Sequence, residues 1–157
     1  MVLPILFLLD IWLKCFKLNL SREKSLKRVS FDLQDPKCIF CQRDQLKIIL
    51  ENDLAAAFWD IHPVNPGHLL VIPKAHKPTF FDLEPQELLA INDLLHQGKQ
   101  LIDQKFAPDG FNLGVNIGKY GGQVVMHCHF HLIPRYRGDV PNPIGGIRNS
   151  LPPQKVK

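Results

Sequence analysis

Three histidines alternate with other residues in the last third of the chain. His127, His129 and His131 are one residue apart, and in an extended strand this spacing places their imidazoles on one face, about 6.8 Å apart along the backbone. Such a face has three interpretations: an exposed histidine-rich surface, a metal site with two or three ring ligands, or nucleophilic catalysis by one ring. Histidine suits the last role because its reference pKa of about 6.5 leaves neutral imidazole available near pH 7.

Cys38 and Cys41 form a second group with chemical potential. The Cys-x-x-Cys spacing is typical of zinc knuckles and of redox pairs, and it also occurs where two buried thiols belong to a hydrophobic core. A disulfide is disfavoured if the protein is intracellular. The spacing alone leaves these alternatives open.

The histidines need a strand to hold them, and the local pattern predicts one. Apolar and polar residues alternate over 111–118 and again over 124–133, which predicts two antiparallel strands joined by the Gly-rich link 119–122. The polar faces of two such strands lie side by side. We therefore expect Asn116 and the three histidines to line one site.

Upstream segments predict the rest of the domain. Two strand-like segments, 47–51 and 54–60, are hinged at the turn signal Asn52-Asp53, and the apolar run 68–73 is typical of a buried strand. Apolar residues recur at helical spacing over 85–106. The pattern predicts an α+β fold: a five-stranded antiparallel sheet covered on one side by one long helix, with a short helical turn.

Length and composition limit the possible functions. A chain of 157 residues fits one domain, and its 45% hydrophobic and 22% charged content argues against global disorder. Residues 1–37 hold seven Lys/Arg and four Asp/Glu side chains, against twelve and eleven in residues 38–157, so most of the net charge of +4 is N-terminal. Because no basic stripe follows residue 37, polynucleotide binding is disfavoured.

Residues 1–37 are interpreted as an N-terminal extension, apolar and then basic, of unknown function. Its first twenty residues are too charged for a membrane span, and they lack the basic start and small-residue cleavage site of a secretory signal. An amphipathic helix on anionic lipid, an appendage packed on the domain and a start codon assigned too far upstream are the alternatives. We predict a cytoplasmic protein, with peripheral membrane association as the minor alternative.

The segment Gly121–Arg135 resembles the signature of the histidine triad (HIT) superfamily, in which a Gly-Gln turn precedes three histidines that alternate with apolar residues. Further likeness lies in the segments 58–60, 66–76 and 112–116. The resemblance covers residues 38 to about 148 and implies a homodimeric HIT domain over 38–157, with a C-terminal tail from about 138. The residues after the triad are more similar to the bacterial, diadenosine polyphosphate hydrolase-like branch than to the phosphoramidase branch.

The resemblance implies hydrolysis or transfer at the α-phosphate of a nucleotide, with a dinucleoside polyphosphate or a nucleoside phosphoramidate as substrate. It makes His129 the nucleophile that forms a covalent nucleotidyl-histidine. The other catalytic assignments are His127 and His131, and the implied nucleotide- and phosphate-binding residues are Asp60, Asn116, Gly122, Gln123, His131, Ile39 and Phe40. For Ile39 and Phe40, core packing is an equal alternative to contact with a purine.

One position departs from the family pattern. Val124 stands where many relatives carry Ser or Thr beside a phosphate oxygen, so that contact must come from the backbone or be absent. The alternative to an enzyme is a non-catalytic, zinc-stabilised module that binds a purine nucleotide.

The same resemblance implies a structural zinc ion held by Cys38, Cys41, His76 and His127. Two thiolates and two imidazoles are a closed structural set. If His127 is a ligand, it cannot donate a proton freely, and the metal instead fixes the strand that presents His129. Among the remaining residues, Cys128 is predicted to lie in the core and His62 and His96 at the surface, and His68 is placed near the nucleotide pocket without a role.

Overall fold

A computed structural model describes residues 34–150 of the chain. Its regular elements are the strands β1 (Ile48–Glu51), β2 (Ala55–Trp59), β3 (Leu69–Pro73), β4 (Gly110–Val115) and β5 (Phe130–Arg135), and the helix α1 (Pro85–Phe106). Short 3-10 helices lie at Arg43–Gln45, Phe80–Asp82, Lys119–Gly121 and Gly146–Ser150. The strands form one antiparallel sheet in the order β1-β2-β3-β5-β4. The predicted α+β fold with one long helix is confirmed, and the predictions on residues 1–33 lie outside the described residues.

The turn between β1 and β2 also anchors the sheet to the helix. The side-chain oxygen of Asn52 accepts the N–H groups of Leu54 and Ala55 at 3.2 and 2.9 Å, which is the usual way in which Asn stabilises a tight turn. Its amide nitrogen donates to the carbonyl of Ala90 in α1 at 2.8 Å. Asn52, part of the turn signal in the sequence, therefore also fixes the position of this hairpin against α1.

The helix begins and ends where its sequence predicts. Pro85 occupies the first turn, and Glu84 and Glu87 form a reciprocal capping box around it. The chain leaves α1 at Ala107, which is left-handed with φ of 47°. No helix in the described part of the chain is long and apolar enough to cross a membrane.

One face of the sheet packs against α1. The helix contributes the buried side chains of Ile91, Leu94 and Ile102, and the sheet contributes small and branched apolar side chains from three strands, namely Ala55, Ala57, Leu69, Val71 and Leu132. The buried Gly98 faces Leu69, whose Cδ2 would clash with a β-carbon at residue 98. A helix this close to the sheet needs glycine at the point of contact.

At β2 and β3 the opposite face of the sheet is covered as well, which the prediction of a sheet covered on one side did not include. Phe58, Leu70 and Ile72 point to this face and pack against Phe40 and the two cysteines, Cys38 and Cys41. The reason is visible in the sequence, since β2 and β3 are nearly continuous apolar runs rather than alternating ones. Strands of that kind are buried on both faces. The second cover is the segment that carries the cysteine pair.

The two strands nearest the histidines are shorter than predicted. β4 ends at Val115, which leaves Asn116 just beyond it, and β5 begins only at Phe130. The strand predicted over 124–133 forms only from Phe130 onward, because the residues before it bond to the loop after β3 instead of continuing the ladder. Cys128 N–H donates to the Lys77 carbonyl at 2.6 Å, and the pairing of β5 with β3 ends at Phe130, which lies opposite Val71.

Candidate active site and metal cluster

The three histidines lie where β5 begins, and their side chains contact two different groups of residues. His127 is completely buried beside the cysteine pair, whereas His129 and His131 lie side by side with ring centroids 5.0 Å apart. The three rings were expected to share one face and line one site, but they do not form one cluster of equivalent groups. The first ring belongs to the cysteines and the other two form the candidate active site.

His129 is held in a defined orientation by its own backbone. Its Nδ1 lies 2.8 Å from the carbonyl oxygen of His127, and because a carbonyl only accepts hydrogen bonds, Nδ1 carries the proton of the neutral ring. Nε2 therefore carries the lone pair. The ring is 6% exposed and packs edge-on against Phe40 at 5.4 Å. This arrangement leaves one specified nitrogen of His129 free to act as a nucleophile.

His131 has a partner on one nitrogen only. Its Nδ1 lies 3.0 Å from Nε2 of His68, while its Nε2 is buried without a hydrogen-bond partner in the described structure. Burial, followed by the proximity of His129 and His68, lowers the pKa of His131 to about 4, so the ring is neutral at physiological pH. An unpartnered buried nitrogen next to His129 is a free position for a polar ligand atom.

His68, which sequence reasoning left without a role, links His131 to the β2–β3 loop. It is 3% exposed, and burial lowers its pKa. Its Nδ1 lies 3.4 Å from both the Val64 N–H group and a carboxylate oxygen of Asp60. The sequence signal that points to this role is a histidine placed at the entrance of a fully buried strand, where an unpaired imidazole would be costly.

The loop that carries Asp60 and His68 is clamped to the end of β5. Asn65 Nδ2 donates to the carbonyl of Pro134 and to Asp139 Oδ2, both at 2.9 Å. Arg135 donates to both oxygens of Asp139, at 2.6 and 2.8 Å, and this pair holds the pKa of the Asp139 carboxyl well below its usual range. This clamp was not predicted, because nothing in the spacing of these residues along the chain relates them.

Gln123 is placed differently from its expected phosphate-binding role. Its side chain is 4% exposed, accepts the Gly118 N–H at 2.8 Å and donates to the carbonyls of Pro78 and Val125 at 2.6 and 3.0 Å. An amide with both ends occupied by backbone has little capacity left for a ligand. In this structure Gln123 fixes the shape of the turn between β4 and the histidines.

Asn116 and Gly122 lie close together on the open side of this turn. Both are exposed, and Gly122 adopts a left-handed backbone with φ of 85°, a conformation that favours glycine. The Asn116 amide nitrogen lies 3.8 Å from the position that a β-carbon at residue 122 would occupy. The turn therefore presents a side-chain amide beside a backbone with no side chain in the way.

Ile39 and Phe40, the candidate purine contacts, have different surroundings. Phe40 is buried and packs edge-on against Phe58, His127 and His129, with centroids 5.4 to 5.9 Å apart. Ile39 is 54% exposed. Phe40 is therefore part of the support beneath the histidines, and Ile39 is the one with apolar surface available to a ligand.

Cys38, Cys41, His76 and His127 converge as a metal-binding cluster. Each cysteine sulfur lies 3.5 Å from His127 Nδ1, and Cys41 Sγ lies 3.3 Å from His76 Nδ1. A tetrahedral zinc ion, with bonds of about 2.3 Å to sulfur and about 2.05 Å to nitrogen, separates these atoms by about 3.6 Å. The four donors can hold a metal ion with little movement.

The surroundings of the cluster also fit a metal. His127 Nε2 lies 2.9 Å from the Pro73 carbonyl, which places the ring proton there and turns the Nδ1 lone pair toward the sulfurs. Burial raises the pKa of the Cys41 thiol to about 11, so its thiolate needs a cation beside it at neutral pH. The Asp35 N–H group, 3.4 Å from Cys41 Sγ, supports that thiolate.

The remaining histidine and cysteine predictions are confirmed. Cys128 is 1% exposed and lies in the core, with its pKa raised to about 12 by burial. His62 and His96 are exposed. None of the three takes part in the candidate site or the metal cluster.

A triad of alternating histidines at the start of a central strand, backed by one long helix and a two-cysteine, two-histidine cluster, defines a protein of the histidine triad class. The family model for the HIT domain matches residues 42–138. This chain belongs to the HIT family.

Several relatives support this assignment at the level of the whole domain. An uncharacterized HIT-like protein of Methanocaldococcus jannaschii is 39% identical over 106 residues, covering 65% of this chain and 81% of that protein. The asymmetrical bis(5'-nucleosyl)-tetraphosphatase of Schizosaccharomyces pombe is 37% identical over 93 residues, covering 59% of this chain and 51% of the relative. An AP-4-A phosphorylase of Mycobacterium tuberculosis is 29% identical over 130 residues, covering 79% and 67%.

Solved structures give the same answer. A HIT family protein from Bacillus anthracis matches with a TM-score of 0.63 at 36% identity, covering 74% of this chain and 87% of that chain. A zinc-bound histidine triad family protein from Mycobacterium smegmatis matches with a TM-score of 0.61 at 30% identity, covering 66% and 78%.

Proposed function

We propose that this chain is a nucleotide hydrolase or transferase that acts at the α-phosphate through a covalent intermediate on His129. The observation that carries the proposal is the 2.8 Å hydrogen bond from His129 Nδ1 to the His127 carbonyl. It fixes the tautomer and the direction of the ring, so that Nε2 is a preoriented nucleophile. Membership of the HIT family supports the same chemistry.

The reaction has two displacements at phosphorus. In the first, the lone pair of His129 Nε2 forms a P–N bond while the bond from phosphorus to the leaving group breaks, and the leaving group departs with its electron pair. In the second, water attacks phosphorus and loses a proton to solvent, the P–N bond breaks with its electron pair returning to Nε2, and a nucleoside monophosphate is released. The backbone carbonyl that accepts the hydrogen bond from Nδ1–H stabilises the positive charge that the ring gains when Nε2 bonds to phosphorus.

His131 serves the leaving-group side. If His68 Nδ1 accepts the Val64 N–H, then His68 Nε2 donates to His131 Nδ1 and the proton of His131 lies on its unpartnered Nε2. That N–H can donate to a phosphate oxygen or to the departing group. Engagement of Asp60 by ribose hydroxyls favours this arrangement, because Asp60 is the competing partner of His68 Nδ1.

The remaining nucleotide contacts that we propose are made by groups that are still available to a ligand. Asp60 Oδ1 accepts the His62 N–H at 2.8 Å, which leaves Oδ2 for a ribose hydroxyl. Asn116 and the open backbone at Gly122 are the phosphate contacts at the turn, with Gln123 as the residue that shapes it. Ile39 supplies apolar surface for the base, and Phe40 supports the histidines from below.

We further propose that Cys38, Cys41, His76 and His127 hold a structural zinc ion. When bound, zinc supplies a rigid cross-link and no chemistry at phosphorus. His127 then positions the backbone carbonyl that orients His129, so its catalytic contribution is made through its main chain. The zinc-bound relative from M. smegmatis is consistent with this proposal.

For the substrate we favour a dinucleoside polyphosphate over a nucleoside phosphoramidate. The relatives named as a bis(5'-nucleosyl)-tetraphosphatase and an AP-4-A phosphorylase support this preference. The test is a panel of diadenosine tetraphosphate and adenosine phosphoramidate, each assayed with and without inorganic phosphate to separate hydrolysis from phosphorolysis. Turnover of neither substrate, together with retained nucleotide binding, would establish the non-catalytic alternative.

The nucleophile is tested with His129→Ala and the matched control His96→Ala, which changes an exposed helix histidine. We expect His129→Ala to lower kcat by at least about 1,000-fold and His96→Ala to leave it unchanged. Acid quench of the wild-type protein during turnover, followed by mass spectrometry, should find a nucleotidyl adduct on the peptide that contains His129. Equal rates in wild type and His129→Ala would exclude the covalent role.

A further inference from the structure

The two cysteines of the metal cluster lie close enough together to react with each other. Their sulfurs are within 4.8 Å, and the N–H groups of Cys41 and Gln42 donate to the Cys38 carbonyl at 3.0 and 3.3 Å, which closes a tight turn between them. We propose that Cys38 and Cys41 are an oxidation site, at which a peroxide converts the thiolate pair into a disulfide that can no longer hold the metal ion.

The backbone of this turn suits a disulfide. A turn closed by a hydrogen bond between residues i and i+3 brings their Cα atoms within about 7 Å, and disulfides span Cα separations of about 4.4 to 6.8 Å. The sulfurs need to approach to about 2.05 Å. Rotation of the two cysteine side chains can provide this approach, because the residues that the bridge joins are already neighbours.

Cys38 is the thiolate that an oxidant reaches first. It lines a surface cavity of about 290 Å³ together with His76, and a molecule as small as hydrogen peroxide fits in that space. Cys41 Sγ is instead engaged by the Asp35 N–H group at 3.4 Å and lies 3.3 Å from His76 Nδ1. We therefore assign the first attack to Cys38 and the closing step to Cys41.

The reaction takes two electrons from the pair. In the first step the Cys38 thiolate attacks one oxygen of the peroxide, the O–O bond breaks, and the hydroxide that leaves is protonated to water. Cys38 is then a sulfenic acid. In the second step the Cys41 thiolate attacks Cys38 Sγ, the S–S bond forms, the S–O bond breaks and a second water is released.

Oxidation changes both the metal cluster and the support of the proposed nucleophile. The disulfide removes two of the four donors of the cluster, so the metal ion is released. Phe40 lies between the two cysteines in the chain and packs against His129 with centroids 5.4 Å apart, so closing the bridge shifts the ring beneath His129. Metal release rests on the proposed zinc site and a lower kcat rests on the proposed function, but the disulfide itself needs neither.

The test treats the full chain, loaded with one equivalent of zinc, with hydrogen peroxide and then alkylates the remaining thiols. Trypsin cleaves after Lys37 and Arg43 and leaves both cysteines on one peptide, so the disulfide appears as a peptide that is two hydrogens lighter and resists alkylation. We expect this peptide to form at least about tenfold faster than Cys128 is oxidised, because Cys128 is 1% exposed. One zinc per disulfide should reach a colorimetric chelator, and dithiothreitol should restore both thiols.

Several results would overturn the proposal: cysteines that stay reduced, cysteines that proceed to sulfinic acid without a bridge, or a disulfide that forms while the zinc stays bound. A protein that takes up no zinc but still forms the disulfide would disprove the proposed zinc site and leave the oxidation site standing. Absence of turnover would disprove the proposed function without affecting the peptide measurement.

Variants test the order of attack. Cys41→Ser should stop at a sulfenic acid on Cys38, which dimedone captures, whereas Cys38→Ser should leave Cys41 unreacted over the same time. The control Cys128→Ala should form the internal disulfide at the wild-type rate. Capture on Cys41 in Cys38→Ser, without capture on Cys38 in Cys41→Ser, would disprove Cys38 as the first site. If the cysteine variants do not fold, the peptide measurement on the wild-type protein decides the proposal.

Discussion

The ring of His127 donates from Nε2 to the carbonyl oxygen of Pro73 at 2.9 Å, and this bond joins the last residue of β3 to the first histidine of the triad. It explains why the first histidine differs from the other two. With its proton committed to Pro73, the ring directs Nδ1 at the sulfurs of Cys38 and Cys41. The backbone of the same residue then orients His129, so the metal cluster and the proposed nucleophile share one residue.

The first prediction concerns metal content. Wild-type protein should contain about one equivalent of zinc per chain, and the double variant Cys38→Ser/Cys41→Ser should lose it, because hydroxyl oxygens are poor substitutes for thiolates. The variant should also have a lower Tm, since bound metal stabilises the folded state. Elemental analysis and thermal unfolding measure the two effects. Cys128→Ala, which removes a buried thiol outside the cluster, should keep the zinc; metal-free wild-type protein would reject the cluster as a zinc site.

A second prediction separates the two roles considered for Gln123. As a structural residue, it satisfies three backbone groups, so Gln123→Ala should lower the free energy of unfolding by about 2 to 3 kcal/mol. Denaturant unfolding measures this loss, and the exposed helix substitution Gln104→Ala should stay within about 0.5 kcal/mol of wild type. A Gln123→Ala protein of unchanged stability that bound substrate less tightly would instead support direct phosphate contact.

The third prediction concerns pH. The pKa of Asp139 is lowered by Arg135 in the folded state, so this carboxylate contributes stability above its unfolded pKa, near 4, and the contribution disappears as pH falls through the folded value. Asp139→Asn should therefore be less stable than wild type at pH 7, and the gap should narrow steadily below about pH 4. Unfolding midpoints from pH 7 to pH 2 give the comparison. A gap that does not change with pH would show that the charge of Asp139 is unimportant.

The fourth prediction sets helix propensity against packing. Gly98→Ala improves intrinsic helix propensity by about 1 kcal/mol, but the new methyl group would clash with Leu69 Cδ2. Since Leu69 is fully buried, we expect net destabilisation of about 1 to 3 kcal/mol from overpacking. Gly98→Ala should lower the free energy of unfolding by less in a Leu69→Val background than in wild type, because the shorter side chain leaves room for the new methyl group. A Gly98→Ala protein more stable than wild type would show that α1 can move away from the sheet.

Some expectations stay predictions. The resemblance implies a homodimer, and sequence reasoning favours a cytoplasmic protein. A measurement of mass in solution by light scattering tests the first, and localisation of a fluorescently tagged protein with and without residues 1–37 tests the second, including peripheral membrane association.

The sequence alone determined the elements with a strong period. The helix over 85–106 matches α1 at both ends, because its apolar stripe, its capping residues and the following Pro-Asp-Gly all indicate the same boundaries. The strand predicted over 124–133 is present only from Phe130 onward, for the opposite reason. Alternation reports which way side chains point, and His127 and Cys128 do point to different surroundings, but it does not report whether a neighbouring strand is available for pairing.

The triad motif and the cysteine pair likewise indicate, by residue type and spacing alone, the nucleotide chemistry and the zinc site that we propose. Only the tertiary structure decided what each residue contacts. It shows which nitrogen of each imidazole is free, that His68 belongs to the site, and that Gln123 bonds to backbone. These facts depend on hydrogen bonds between residues as far apart as Pro73 and His127, or His68 and His131. Spacing along the chain specifies residue types on a face, whereas the direction of each proton is set by the partner that the fold brings within 3 Å.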